Sequence, residues 1–110
     1  MPYIARHRFA RISPTKAQDV ARLIRGRWVD EALHLLQFTH KRAARLIEKV
    51  VHSAMAGAEE QAADVTSLYV VEARVDTGPT MKRWEFAARG MVHPIRERTC
   101  HITVILDEGQ

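Results

Sequence analysis

Apolar positions change period along this chain, and the changes divide it into elements. Between Pro2 and Ile12, Tyr3, Ile4, Phe9 and Ile12 alternate imperfectly with polar residues, which predicts a short strand or extended segment anchored by those four side chains. Ser13-Pro14 then supplies an N-cap and a proline for the first helical position. Ala17, Val20, Ala21 and Ile24 recur at spacings of three and four, giving a first helix one buried face, and Gly26 ends it. A short second helix is predicted over Val29 to Gln37, with Val29, Ala32, Leu33 and Leu36 inside and Asp30 and Glu31 in its first turn. Thr39 is the expected cap of a third helix. Its broad stripe of Ala43, Ala44, Ile47, Val50, Val51, Ala54, Met55 and Ala58 marks it as the central packing helix.

From Ser67 the period shortens to two. Tyr69, Val71, Ala73 and Val75 alternate with Val70, Glu72, Arg74 and Asp76, the pattern of a strand with one covered face. Gly78-Pro79 interrupts regular pairing and predicts a bulge or bend rather than a simple hairpin turn. Thr99 to Leu106 is rich in β-branched residues, with Ile102, Val104 and Leu106 on one face. The expected fold class is α+β: three helices packed on a small antiparallel three-stranded sheet, with a long protruding β-hairpin. At 110 residues the chain makes one domain, residues 1–110, with a modest core.

Met81 to Arg98 is the distal part of that arm. Its eighteen residues are too long for a turn and hold five basic residues (Lys82, Arg83, Arg89, Arg96, Arg98) against two acids, Glu85 and Glu97. Trp84, Phe86, Met91, Val92 and Ile95 are interspersed with them. A small domain carries hydrophobes mixed with arginine on such an arm when something outside the chain packs against it. Ala88-Arg89-Gly90 is the expected tip, because Gly90 accepts backbone geometry that its neighbours resist. Trp84 and Phe86 share one strand face, where they stack on bases, wedge into an apolar RNA surface, or pack on the opposite arm strand.

Charge sharpens the picture. The net charge of +4 is unevenly spread: Met1 to Arg27 has seven basic residues and one acid, Trp28 to Glu72 four against seven, and Ala73 to Gln110 six against five. Basic ends around an acidic middle suit a polyanion touching one part of the molecule, although an ordinary mixed-charge surface gives the same totals. Three basic groups are candidates for a shared RNA footprint: Arg6, Arg8 and Arg11 on the first strand; Lys16, Arg22, Arg25 and Arg27 around the first helix; and the arm arginines. Arginine grips phosphate through a planar fork and also stacks on bases. The competing readings are a charged strand edge that resists pairing for Arg6 and Arg8, cations placed by the helix dipole for Arg22 and Arg25, and simple solvation for Lys41, Arg42, Arg45 and Lys49.

Catalytic chemistry finds little support. The six histidines, His7, His34, His40, His52, His93 and His101, form no metal-binding pattern with a close acid or thiolate. His101 adjoins Cys100, but neighbours on a strand point to opposite faces and make no nucleophile–base pair. Cys100 is the only cysteine, which rules out an intrachain disulfide and points to a reducing compartment. No glycine motif cradles a nucleotide, no apolar run approaches membrane-spanning length, and MPYIARHRFA lacks a signal-peptide core. The expectation is no enzyme, no metal, no cofactor, no membrane partner and no obligate homo-oligomer.

The chain resembles the universal large-subunit ribosomal protein twenty-two family over essentially its whole length. The resemblance is carried in order by Arg11-Ile12-Ser13-Pro14-Thr15-Lys16-Ala17, Leu23-Ile24-Arg25-Gly26, Glu31-Ala32-Leu33, Lys41-Arg42-Ala43-Ala44, Ile47-Glu48-Lys49-Val50 and Ser53-Ala54. Leu68-Tyr69-Val70, Asp76-Thr77-Gly78-Pro79-Thr80-Met81-Lys82-Arg83 and Arg98-Thr99-Cys100-His101-Ile102 complete it.

That resemblance implies a cytoplasmic ribosomal protein that binds large-subunit ribosomal RNA, supports subunit assembly and sends its hairpin into the wall of the peptide exit tunnel. The implied partners are that RNA, neighbouring large-subunit proteins, and the nascent peptide near the tip. The arm departs from the family at Glu85, Phe86 and Ala87, and at Met91, Pro94 and Glu97, where apolar, proline, small or basic residues are usual. Two zones result: a basic stem of Lys82, Arg83, Arg96 and Arg98 suited to phosphate, and a tip of Trp84, Phe86, Arg89, Gly90, Met91 and His93 suited to packing. A non-ribosomal protein of the same fold that binds structured RNA, and a protein-binding adaptor, are the alternatives.

Overall fold

The computed structural model describes residues 2–86, 90 and 92–108; within these, the side chains at 81, 83–86 and 92–96 are left aside. Three strands, β1 (Tyr3–Ala10), β2 (Leu68–Phe86) and β3 (Val92–Glu108), form an antiparallel sheet in the order β1-β3-β2. Three helices, α1 (Pro14–Ile24), α2 (Val29–Phe38) and α3 (Arg42–Glu60), cover one face of it. The α+β architecture with a long hairpin is therefore as expected. Cys100, Ile102, Val104 and Leu106 on the central strand are at most 1% exposed and meet Ala17, Val20 and Ile24 of α1 and Ile47, Val51 and Ala54 of α3 in one core.

Three bulges shape the sheet, and each inserts one residue into an outer strand opposite the unbroken β3. The first lies at Val71. It reverses the phase of β2, so Leu68 and Val70 are buried before it and Ala73 and Val75 after it, while Val71 is exposed. The even alternation expected from Tyr69 to Val75 is corrected accordingly: a one-residue insertion moves the following side chains to the other face. The second bulge is Gly78-Pro79 opposite Thr99, where a break was expected. Beyond it, β2 and β3 stay paired from Thr80↔Arg98 to Phe86↔Val92, and Gly90 adopts φ +73° between them. The arm is thus a continuation of core strands. A radius of gyration of 16.9 Å, against about 13 Å for a compact chain of this length, reflects that extension.

The third bulge places Arg8 and Phe9 opposite His101 on β1. Phe9 takes φ +58°, a left-handed conformation that costs a bulky residue about 1 kcal/mol or more. Phe9 and Ile4 were expected to anchor the strand inward; both are exposed, Phe9 at 60%, and only Tyr3 and Ile12 of the four are buried. Ala5 fills the inward position instead, because Tyr3, Ala5 and His7 register with Leu106, Val104 and Ile102 on the helix side.

Helix ends differ in detail from expectation. Ser13 precedes Pro14 at the start of α1, although its hydroxyl makes no capping bond, and Gly26 lies two residues past the helix at φ +74°. Thr39 does not cap α3. Its hydroxyl donates to the Leu35 carbonyl at 2.6 Å and closes α2, and Lys41 is the residue that precedes α3. Arg45 completes the α2 terminus by donating to the carbonyls of Leu36, Gln37 and Thr39 while pairing with Glu48 at 2.8 Å. Carbonyls at a helix C-terminus lack the full set of intrahelical donors, and of these Leu36 also accepts the Thr39 amide, so Arg45 does more than solvate α3.

Candidate nucleic-acid interface

The hairpin leaves the sheet beside the N-terminus of α1, and the two together form a pair of adjoining clefts. One, of about 550 Å³, is lined by Pro14, Thr15, Gln18, Thr77, Thr80, Lys82 and Arg98. The other, of about 420 Å³, is lined by Arg11, Ile12, Ser13, Lys16, Arg42, Glu97 and Arg98. Arg98 borders both, so Arg11, Lys16, Arg42, Lys82 and Arg98 converge around a region to which, among the described residues, Glu97 contributes the one lining carboxylate.

Helix polarity reinforces those cations. Both α1 and α3 begin here, at Pro14 and Arg42, and neither has an acid in its first turn or a side chain bonded to its first amides. In contrast, α2 carries Asp30 and Glu31 in its first turn. Unpaired amides and the positive end of the helix dipole favour an anion, so the two N-termini add to the potential of the basic residues, offset at α3 by Asp19, which lines an adjoining cavity with Lys41, Arg42 and Ala43. What the arrangement offers chemically is an open, positively charged concavity at the root of a projecting ribbon. That suits phosphate oxygens of a polymer better than a small apolar metabolite.

The candidate basic groups do not merge into one footprint. Arg11, Lys16, Lys82 and Arg98 come together as described, joined by Arg42, which the sequence pattern had assigned to solvation of α3. Its signal was position: it follows Lys41 at the start of α3 instead of lying along its middle. Arg22, Arg25 and Arg27 sit at the opposite end of α1. There Arg22 lies 3.9 Å from Asp19, the Arg25 side chain donates to the Ala73 carbonyl at 2.9 Å, and Arg27 pairs with Glu31. Of the stem, the guanidinium positions of Arg83 and Arg96 lie outside the described side chains, as do Trp84, Phe86 and His93 at the tip; Arg89 and Met91 lie outside the described residues altogether.

Arg6 and Arg8 lie apart from that cleft along the β1 edge, where they border both a cavity against Lys49, Val50 and Ser53 of α3 and the face of the sheet away from the helices. Arg6 registers with Thr103 and through it with Arg74, and a depression of about 370 Å³ is lined by Arg6, Arg8, Phe9, Arg74, Asp76, His101 and Thr103. Arg74 is held between Glu72 at 3.7 Å and Asp76 at 3.1 Å. Among the described residues, Arg6 and Arg8 have no carboxylate partner. Phe9 and His101 were not read as site residues, because the bulge that brings them together leaves no mark in the residue pattern.

Among the described residues no group of three His, Cys, Asp or Glu is placed to hold a metal ion, and no helix is long and apolar enough to cross a membrane. Cys100 is fully buried, and that burial pushes its thiol up from the ordinary range, away from the thiolate a nucleophile requires. The family model described as Ribosomal protein L22p/L17e matches residues 5–107. That span takes in all three helices, β2, and all but the outer end residues of β1 and β3, and with it a structural, RNA-binding role in the ribosome with ribosomal RNA and ribosomal proteins as partners: the chain belongs to the ribosomal protein L22 family.

Proposed function

We propose that this chain is a structural constituent of the large ribosomal subunit that binds large-subunit RNA, supports its assembly and lines the peptide exit tunnel with the β2–β3 hairpin. The carrying observation is the convergence of Arg11, Lys16, Arg42, Lys82 and Arg98 with two helix N-termini that have no acid in their own first turns, where the hairpin leaves the sheet. A phosphate backbone held in that cleft fixes the direction of the ribbon, and the ribbon then reaches RNA remote from the globular part. One chain touching distant RNA segments helps to hold them together during assembly. The stem residues Lys82, Arg83, Arg96 and Arg98 carry phosphate contacts, and the less basic tip packs against bases, a neighbouring protein or the tunnel lumen, close to the nascent peptide. Arg22, Arg25 and Arg27 mark a second contact at the far end of α1.

Replacing Arg83 and Arg98 with alanine tests the phosphate reading. Each lost phosphate contact lowers the slope of log affinity against log salt by about 0.7 to 0.9, so the double variant binds large-subunit RNA more weakly and with a slope shallower by about 1.4 to 1.8. Unchanged binding with an unchanged slope removes phosphate contact from the hairpin stem.

A further inference from the structure

We infer that Phe9, on the sheet face opposite the helices, is a stacking platform for a single unpaired nucleotide of RNA, with Arg6 and Arg8 receiving its phosphates; the inference rests on RNA being the partner. Phe9 occupies a bulge position with φ +58°, where glycine or asparagine would sit with less strain. A bulge that merely protects an edge strand from pairing needs no aromatic residue there. The strain also gains the ring no burial, since Phe9 remains 60% exposed.

What the bulge does achieve is presentation. The Phe9 amide, freed from the ladder, donates to His101 Nδ1 at 3.0 Å. The two rings meet edge to face, with centroids 4.9 Å apart and planes at 85°. Phe9 is therefore braced by His101 while most of its surface stays exposed, and it lines a depression of about 370 Å³. Arg6 and Arg8 line the same depression and have no carboxylate partner among the described residues, whereas Arg74 is already paired with Glu72 and Asp76. An exposed aromatic ring flanked by guanidinium groups without a carboxylate partner among the described residues matches the two parts of a nucleotide, a flat base and an anionic phosphate. This surface is distinct from the cleft at the hairpin root: the two share none of their lining residues.

The test uses large subunits isolated with wild-type chain or with Phe9→Leu, Phe9→Trp or Phe9→Gly, probed by 2′-hydroxyl acylation and hydroxyl-radical cleavage of the RNA. Phe9→Gly relieves the backbone strain and so serves as the folded variant without a ring. Base–aromatic stacking is worth about 5- to 150-fold in affinity per base, so removing the ring frees a stacked nucleotide for most of the time. We expect at least one unpaired nucleotide to become severalfold more reactive to acylation with Phe9→Leu and Phe9→Gly, and to stay protected with wild type and Phe9→Trp. Equal acylation in all four particles, with the backbone footprint of the chain intact, overturns the stacking site and leaves RNA binding standing. A protein segment crosslinked over Phe9 in place of a nucleotide overturns it as well. Absence of any RNA footprint from wild-type chain overturns both readings.

Discussion

Replacing Gly78 with alanine probes the root of the hairpin, where the sheet becomes the arm. A Cβ at Gly78 would lie 2.6 Å from Thr99 Oγ1 and 3.3 Å from the Thr99 carbonyl carbon and oxygen, well inside the contact distance of about 3.5 Å. Thr99 cannot simply turn aside, because its side chain is buried and its hydroxyl donates to the Pro79 carbonyl at 2.6 Å. If Thr99 rotates, a buried hydroxyl loses its partner, at a cost of about 1–3 kcal/mol. If the strands spread instead, overpacking costs about 1–3 kcal/mol. The easier route sets the result, so Gly78→Ala should destabilise the chain by about 2 kcal/mol in urea unfolding followed by circular dichroism. Thr99→Ala alone should cost about 1 kcal/mol, through the lost hydrogen bond. With Oγ1 gone the shortest contact disappears, and the double variant should be less destabilised than the sum of the singles by about 1 kcal/mol. A cost for Gly78→Ala below about 0.5 kcal/mol, or strict additivity, would refute the close approach as the reason for glycine here.

Arg45→Ala should lower stability by about 1 kcal/mol in the same assay, because it uncaps the carbonyls of Leu36, Gln37 and Thr39; Arg45→Lys, which lacks the fork, should recover only part of it. The Cys100 thiol should resist alkylation in the folded chain and react on unfolding, since burial raises it. The sign of the linkage follows: the unfolded chain releases the thiol proton first, so this contribution to stability is complete below the ordinary thiol range and lost as pH rises through the folded value, and Cys100→Ala should flatten that alkaline decline.

Much of the fold was legible because its elements obey simple periods. Ala17, Val20, Ala21 and Ile24 repeat as a helix must, and Ile102, Val104 and Leu106 alternate as a central strand must; all are buried. Gly78-Pro79 announced its bulge because neither residue suits a regular ladder. The bulges at Val71 and at Arg8-Phe9 were hidden, since each is made of residues that fit a strand and reveals itself only through pairing with β3. For the same reason Phe9 read as an inward anchor. Thr39 carries the side chain of an N-cap, but the capping competition was decided by Arg45 reaching back over the α2 terminus. As for the site, Lys16, Lys82 and Arg98 were visible as charges, whereas Arg42 acquires its meaning only when α3 begins beside α1.

The central claim is that the hairpin root grips the RNA backbone and aims the arm into the exit tunnel. An RNA-resolved density map of the native large subunit containing this chain tests it most directly. Phosphates are expected within charge-assisted hydrogen-bonding distance of Arg98 and of at least two among Arg11, Lys16 and Arg42, with the β2–β3 hairpin in the tunnel wall. A map in which that cleft faces solvent, or in which the hairpin runs away from the tunnel, would contradict it.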